Sequence, residues 1–153
     1  MSKVVENLHK IHNNPFVLTP LIVGFYEKYQ GAEKDILLSY LILPLVLHTQ
    51  TRDWLKRANI KSSLYSFGRK EENFYALSQR IEEYKSLSNL CMQYAINNNL
   101  ISIEEGLKVK VIKSDQSCIE TLKDSLKASE NIVKIVKDFD VVSIYRLLGV
   151  KNL

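Results

Sequence analysis

Glycine and proline are scarce in this chain, with five glycines and three prolines among 153 residues. Loop-rich, collagen-like and disordered chains need far more of both, so the composition favours helices. No two glycines adjoin, and nothing resembles G-x-x-x-x-G-K-[ST], the loop that cradles nucleotide phosphates. A G-x-S-x-G nucleophile elbow and an H-E-x-x-H zinc motif are missing too. Only two cysteines occur, Cys91 and Cys118, without a partner motif. The opening residues "MSKVVENLHKIHNN" are mixed polar and charged, not a basic head followed by an apolar stretch. A disulfide is therefore not expected, Cys91 reads as a small core residue, and the chain is expected in the cytoplasm. The main apolar run, Ile36 to Leu47, has twelve residues including Ser39 and Pro44. A membrane span needs about 20. A buried helix fits the run better, and no membrane partner is expected.

What is present suits one folded domain. A chain of this length hides about 70% of its unfolded surface. Hydrophobic residues make up 46% and charged residues 25%, which is ordinary for a globular protein. The net charge of +4 is spread unevenly. Residues 1–47 carry four basic and four acidic side chains, and residues 48–70 carry six against one. Residues 71–105 carry two against six, and residues 106–153 nine against six. The basic excess thus falls directly after the apolar run, and this asymmetry is the main electrostatic signal.

Segment by segment, the pattern predicts helices around one hairpin. Asn14 and Pro15 suit a helix start, Leu18, Leu21, Ile22, Phe25 and Tyr29 follow helical spacing, and Gly31 suits the stop. A second helix is expected from about Glu33 to Leu47, apolar all round and bent at Pro44. Thr49 or Thr51 is expected to cap a short third helix, with Thr51 and Arg52 opening an exposed element. Ser62 or Ser63 is expected to cap "SSLYSF". A continuous helical region is expected from about Glu71 to Asn98, with Leu87, Leu90, Cys91, Tyr94 and Ala95 on its inner face. Ile101 and Ile103, then Leu107, Val109 and Val111, alternate with polar residues about an "EEG" turn, which predicts a hairpin. Asp115 or Ser117 is expected to cap a helix to about Lys137 with a stripe of Ile119, Leu122, Leu126, Val133 and Val136. Asp140 and Gly149 bound the last helix. The expected fold is mainly α, a compact helical domain with one β-hairpin and a winged-helix-like centre. Residues 1–13 read as an N-terminal segment that can be flexible. Residues 14–153 read as a single domain with the hairpin at about 100–113.

No catalytic constellation emerges. His9 and His12 can share a helical face, but a metal site needs three or four ligands and nothing nearby completes the set. His48 reads as a hydrogen-bonding group at a helix end. The pairs Glu71–Glu72, Glu82–Glu83 and Glu104–Glu105 are adjacent in sequence, so their side chains diverge instead of converging on a substrate. No catalytic, cofactor-binding or metal residue is assigned, and no cofactor or small-molecule substrate is expected. The basic segment differs: Arg52, Lys56, Arg57, Lys61, Arg69 and Lys70 are interleaved with Trp54, Tyr65 and Phe67. Clustered cations with aromatics suit a nucleic-acid backbone with stacked bases. They equally suit an acidic protein partner anchored by Trp54 and the arginines. A plain solvated helix with a core tryptophan is the third reading.

Four stretches carry a resemblance. "NNPF" opens the first helix, and "LILPLVLHTQTRDWL" joins an apolar helix with internal Leu-Pro to Leu-His, a Thr-Arg pair and Leu. "SSLYSF" is a Ser-Leu-x-x-aromatic segment, and "SIYRLLGVKNL" ends on Leu-Leu-Gly-Val. In this order, from Asn14 to Leu153, the chain resembles the middle component of the bacterial three-component ABC systems, which are predicted defence systems. Where a Gly-x-Trp-like turn is expected before the last segment, this chain has "ENIVKIVKDFD". The resemblance implies a non-enzymatic adaptor that couples a large ABC-type ATPase, similar to chromosome-maintenance and repair ATPases, to an effector protein. Nucleic acid would then be reached through the ATPase complex. The alternative reading is a winged-helix nucleic-acid-binding regulator that uses the same basic segment.

Overall fold

The computed structural model describes residues 13–29, 31–114 and 117–151, together with Lys3. Residues 1–2 and 4–12, His9 and His12 among them, and the Asp115 cap lie outside the described residues. Among the described residues the architecture is mainly helical with one antiparallel hairpin. Its elements are α1 Pro15–Lys28, a 3-10 turn Asp35–Leu38, α2 Ser39–Val46, α3 Thr49–Lys56, α4 Leu64–Gly68 and α5 Glu71–Phe74. Then follow α6 Leu77–Asn97, β1 Ile101–Glu104, β2 Lys108–Val111, a 3-10 turn Glu120–Leu122, α7 Lys123–Val136 and α8 Val141–Leu147.

α1 starts as its sequence dictates. Asn14 Oδ1 accepts from the Phe16 amide at 2.9 Å, and Pro15 sits where its missing N–H costs nothing. Leu18 through Tyr26 are all buried, because α1 packs against both α6 and α7. At Gly24 a Cβ would lie 2.6 Å from Leu126 Cδ1, so the absent side chain sets how closely α1 meets α7. α1 ends at Lys28 with Tyr29 in extended conformation; Gly31 lies beyond the stop and is not a left-handed cap.

α2 is the core of the molecule. Leu41, Ile42, Leu43, Leu45 and Val46 are each at most 1% exposed. Burying each such side chain contributes roughly 1.5–3 kcal/mol. The expected helix from Glu33 is shorter than its apolar run: Asp35–Leu38 forms a tighter turn, and α2 proper begins at Ser39. Pro44 falls in its last turn, and the helix closes two residues later.

The 3-10 turn is tied to the hairpin. Lys34 N–H donates to Gly106 O at 2.8 Å and Ile36 N–H to Leu107 O at 3.1 Å. The buried Asp35 carboxylate accepts from Val109 N–H at 2.7 Å and Ala32 N–H at 2.9 Å. The hairpin pairs Ile101 with Val111 and Ile103 with Val109, as the alternation predicts. Leu107 belongs to the turn instead of the strand; it and Gly106 take positive φ, and Leu107 is half exposed.

Two helices turn differently from expectation. The region from Glu71 is broken at Ala76, whose φ of 52° no α-helix accommodates, so α5 and α6 are separate. α6 buries Leu77, Ile81, Ser88, Cys91, Met92 and Ala95, while Leu90 is 55% exposed. α7 begins at Lys123, later than expected, and its N-cap position is Leu122 and not Ser117. Its inner face is Ser125, Ala128, Ser129, Ile132, Ile135 and Val136, with Leu126 and Val133 only partly buried. α8 matches its expected bounds: Asp140 Oδ1 accepts from Ser143 N–H at 2.7 Å, and Gly149 leaves the helix at φ +74°.

Candidate functional site

The basic segment spans α3, the joint after it, and α4. α3 starts at Thr49 with His48 in the N-cap place, so neither threonine caps it. Thr51 is fully buried, not the beginning of an exposed element. Its hydroxyl donates to Leu45 O, the carbonyl left over at the end of α2. The neighbouring carbonyls are served from elsewhere. Arg80 Nε of α6 donates to Pro44 O at 3.3 Å, and Ser125 Oγ of α7 donates to Val46 O at 3.0 Å. A helix leaves its last carbonyls without intrahelical partners, and a buried helix end cannot use water. The Leu-Pro and His-Thr-Gln-Thr stretches are thus a helix end sealed by side chains from three other helices. Burial, followed by the nearby Arg80 charge, lowers the His48 pKa. Its Nδ1 lies 3.3 Å from the Thr51 hydroxyl.

α7 seals the far end of α3 the same way. Asn131 Nδ2 donates to Leu55 O at 2.9 Å and to Lys56 O at 3.2 Å, and Lys134 Nζ donates to Ala58 O at 3.3 Å. Ser63 and Ser66 form a reciprocal capping box on α4. α3 and α4 are therefore both anchored, and they present a fixed outer face.

That face separates the expected contact residues. Trp54, Arg57 and Lys70 line one open hollow of about 460 Å³ with Gln50, Asp53 and Asn73. Trp54 is half-buried and meets Phe67 edge to face, ring centroids 5.2 Å apart. Phe67 itself is fully buried, so it offers no ring to a base. Arg57 Nε donates to Asp53 O at 3.2 Å, which steadies the guanidinium beside the hollow. Lys56 instead pairs with Asp124 of α7 at 3.1 Å, and Arg52 lies 3.5 Å from Asp53. Lys61 is exposed in the joint after α3. Arg69 lines a second hollow with Leu64, Tyr65, Phe74 and Leu147. The structure thus brings three of the seven residues together. What the sequence reading missed are the buried polar residues Asn73, Ser125 and Asn131, whose roles show only once their carbonyl partners are in place.

Among the described residues no group of three or more His, Cys, Asp or Glu could hold a metal ion, and no helix is long and apolar enough to cross a membrane. Cys91 is fully buried in the core, and burial pushes its thiol up to about 11.

A family model for Middle Component 3 of the ABC-three component (ABC-3C) systems matches residues 2–152. The chain belongs to that family. No curated protein and no solved structure matches it. As a middle component the chain is one member of a multi-component system, so partner components are implied. The family match spans the carbonyl-sealed α2–α3 joint, the hairpin and α8 alike.

Proposed function

We propose that this middle component is a non-enzymatic, cytoplasmic adaptor that couples a large ABC-type ATPase to an effector protein in a bacterial defence system. The family match over residues 2–152 carries this reading. The ATPase contact is assigned to the hollow of Trp54, Arg57 and Lys70, with Arg52, Lys56, Lys61 and Arg69 around it. A half-buried tryptophan beside two cations is the composition in which interface energy concentrates. The opposing ATPase surface would be acidic.

Co-expression of the chain with an ABC-type ATPase and an effector, which this reading expects to be encoded in neighbouring genes, tests it. Arg57→Glu with Lys70→Glu reverses two charges at the hollow and leaves the Lys56–Asp124 pair intact. The expected result is loss of ATPase co-purification, at least about tenfold in affinity, with an unchanged circular dichroism spectrum. Retention of the ATPase by the variant would remove the hollow as the contact.

The winged-helix regulator remains the competing reading, on the six-to-one basic excess of residues 48–70. That excess lies on α3 and on the short segments after α3 and after α4, whereas the helix before the hairpin, α6, carries Arg80 and Lys85 against Glu82 and Glu83. A salt-sensitive shift of a generic DNA duplex by the wild type, lost in the double variant, would establish the regulator instead.

A further inference from the structure

α8 carries a second surface with a different chemistry. It packs on one side against the 3-10 turn Asp35–Leu38 and on the other against α4. Between α8 and the 3-10 turn lies an open hollow of about 510 Å³. Its apolar lining includes Leu37, Val142 and Val150, and Tyr145 braces it by donating its hydroxyl proton to Leu37 O. The charged residues of this hollow are Arg146 and Lys151, both exposed. On the α4 side the composition repeats, with Tyr65 and Leu147 beside Arg69. Val142 is 60% exposed on the 3-10-turn side of α8, and Tyr65 is 61% exposed on the α4 side. Asp140, whose carboxylate caps α8, also interacts with the Arg146 charge and offsets part of it, whereas Lys151 has no ion pair among the described residues.

We propose that α8 and the hollow beside it are a docking surface for an acidic amphipathic helix of a partner protein. Charge complementarity selects the occupant. An apolar stripe would fill the hollow over Leu37, Val142 and Val150 while carboxylates on its flanks meet Arg146 and Lys151. A nucleic-acid backbone satisfies the cations but leaves the apolar floor uncovered. A second copy meeting this face symmetrically sets cations against cations in a chain already at +4. The hollow over Leu37, Val142 and Val150 shares no residue with the Trp54 hollow, and the proposed adaptor needs two such faces.

The test uses the full chain and two fluorescent peptides of about five helical turns. One has leucines at i, i+3, i+4 and i+7 with glutamates elsewhere; the other replaces each glutamate by lysine. By fluorescence anisotropy the acidic peptide is expected to bind saturably and the basic one not. Arg146→Glu with Lys151→Glu should weaken binding by at least about tenfold, and Val142→Asp should weaken it independently. All three positions are exposed, so the fold should persist, as circular dichroism would verify. Arg57→Glu with Lys70→Glu should bind the acidic peptide normally, which separates this surface from the ATPase contact. Absence of saturable binding, or equal binding by the Arg146→Glu, Lys151→Glu variant, overturns the proposal. A duplex that displaces the peptide, or a concentration-dependent dimer that Val142→Asp abolishes, overturns it in favour of nucleic acid or a second copy.

Discussion

Thr51 illustrates how one hydroxyl can matter more than its neighbours' charges. It is fully buried, and it donates to a carbonyl that its own helix cannot serve. Thr51→Val keeps the shape and leaves Leu45 O without this donor. The expected loss is about 1–3 kcal/mol, read as a lower urea midpoint, whereas Thr51→Ser should lose no more than about 1 kcal/mol. Asp35 is the corresponding acceptor. Its two oxygens serve two amides, Val109 and Ala32. Asp35→Asn leaves one amide facing an NH₂ group, at a cost of about 1–3 kcal/mol at neutral pH. Burial raises the Asp35 carboxyl above the usual carboxylate range, against the pull of the two amides and Lys108. A folded-state pKa above the unfolded value of about 3.9 favours the folded state at low pH. That contribution is lost as pH rises through the folded-state pKa. The wild type's advantage over the non-titrating Asp35→Asn variant should therefore widen as pH falls from neutral toward about 4. Urea midpoints of the two proteins across that range check it, and a narrowing gap would contradict the assignment.

At the scale of elements, the hairpin is held less by its own pairing than by what lies beneath it. A two-stranded hairpin is marginal alone. Here Ile101 and Val109 face the core, and the turn is bonded to Lys34 and Ile36. Val109→Asp buries an unpaired charge and should cost on the order of 3 kcal/mol or more. Lys110→Ser should cost less than about 0.5 kcal/mol, because Lys110 and Glu104 are exposed and 3.7 Å apart. Thermal unfolding of the two variants distinguishes them; equal effects would contradict the register. The joint of α2 and α3 follows the same logic. Pro44 lies in the last turn of α2, and the carbonyls at that end accept from Arg80, Thr51 and Ser125. Three helices are thereby fixed to one helix end.

Across the whole molecule, charge and apolar surface are divided between two faces. The Trp54 hollow holds Arg57 and Lys70, and the α8 face holds Arg146 and Lys151. Both are open to solvent, so partner binding at either should weaken as salt screens the attraction. The core is assembled chiefly from α1, α2, α6 and α7. That core carries its polar groups inward on directed hydrogen bonds, such as those of Ser125 and Asn131. Two separate faces of this kind would suit the proposed coupling of two partners.

The sequence by itself determined much of this. Helix starts at Asn14, Ser63 and Asp140, the hairpin register, the Gly149 stop and the burial of the 36–47 run all follow from local chemistry, because caps, alternation and apolar runs act within a few residues. The resemblance in "LILPLVLHTQTRDWL" pointed to the middle-component family for the same reason: a local pattern survives without its context. Only the tertiary structure decided which face of α6 and α7 turns inward. Ser88, Ser125 and Ser129 are buried while Leu90 is not, since small residues let helices approach closely, and the hydroxyls of Ser125 and Ser129 meet carbonyls of other helices. It also decided which cations share a hollow, because Arg57 and Lys70 are thirteen positions apart and line the same hollow only because α5, which Lys70 precedes, packs against α3. Spacing along a chain carries no information on such a meeting; packing does.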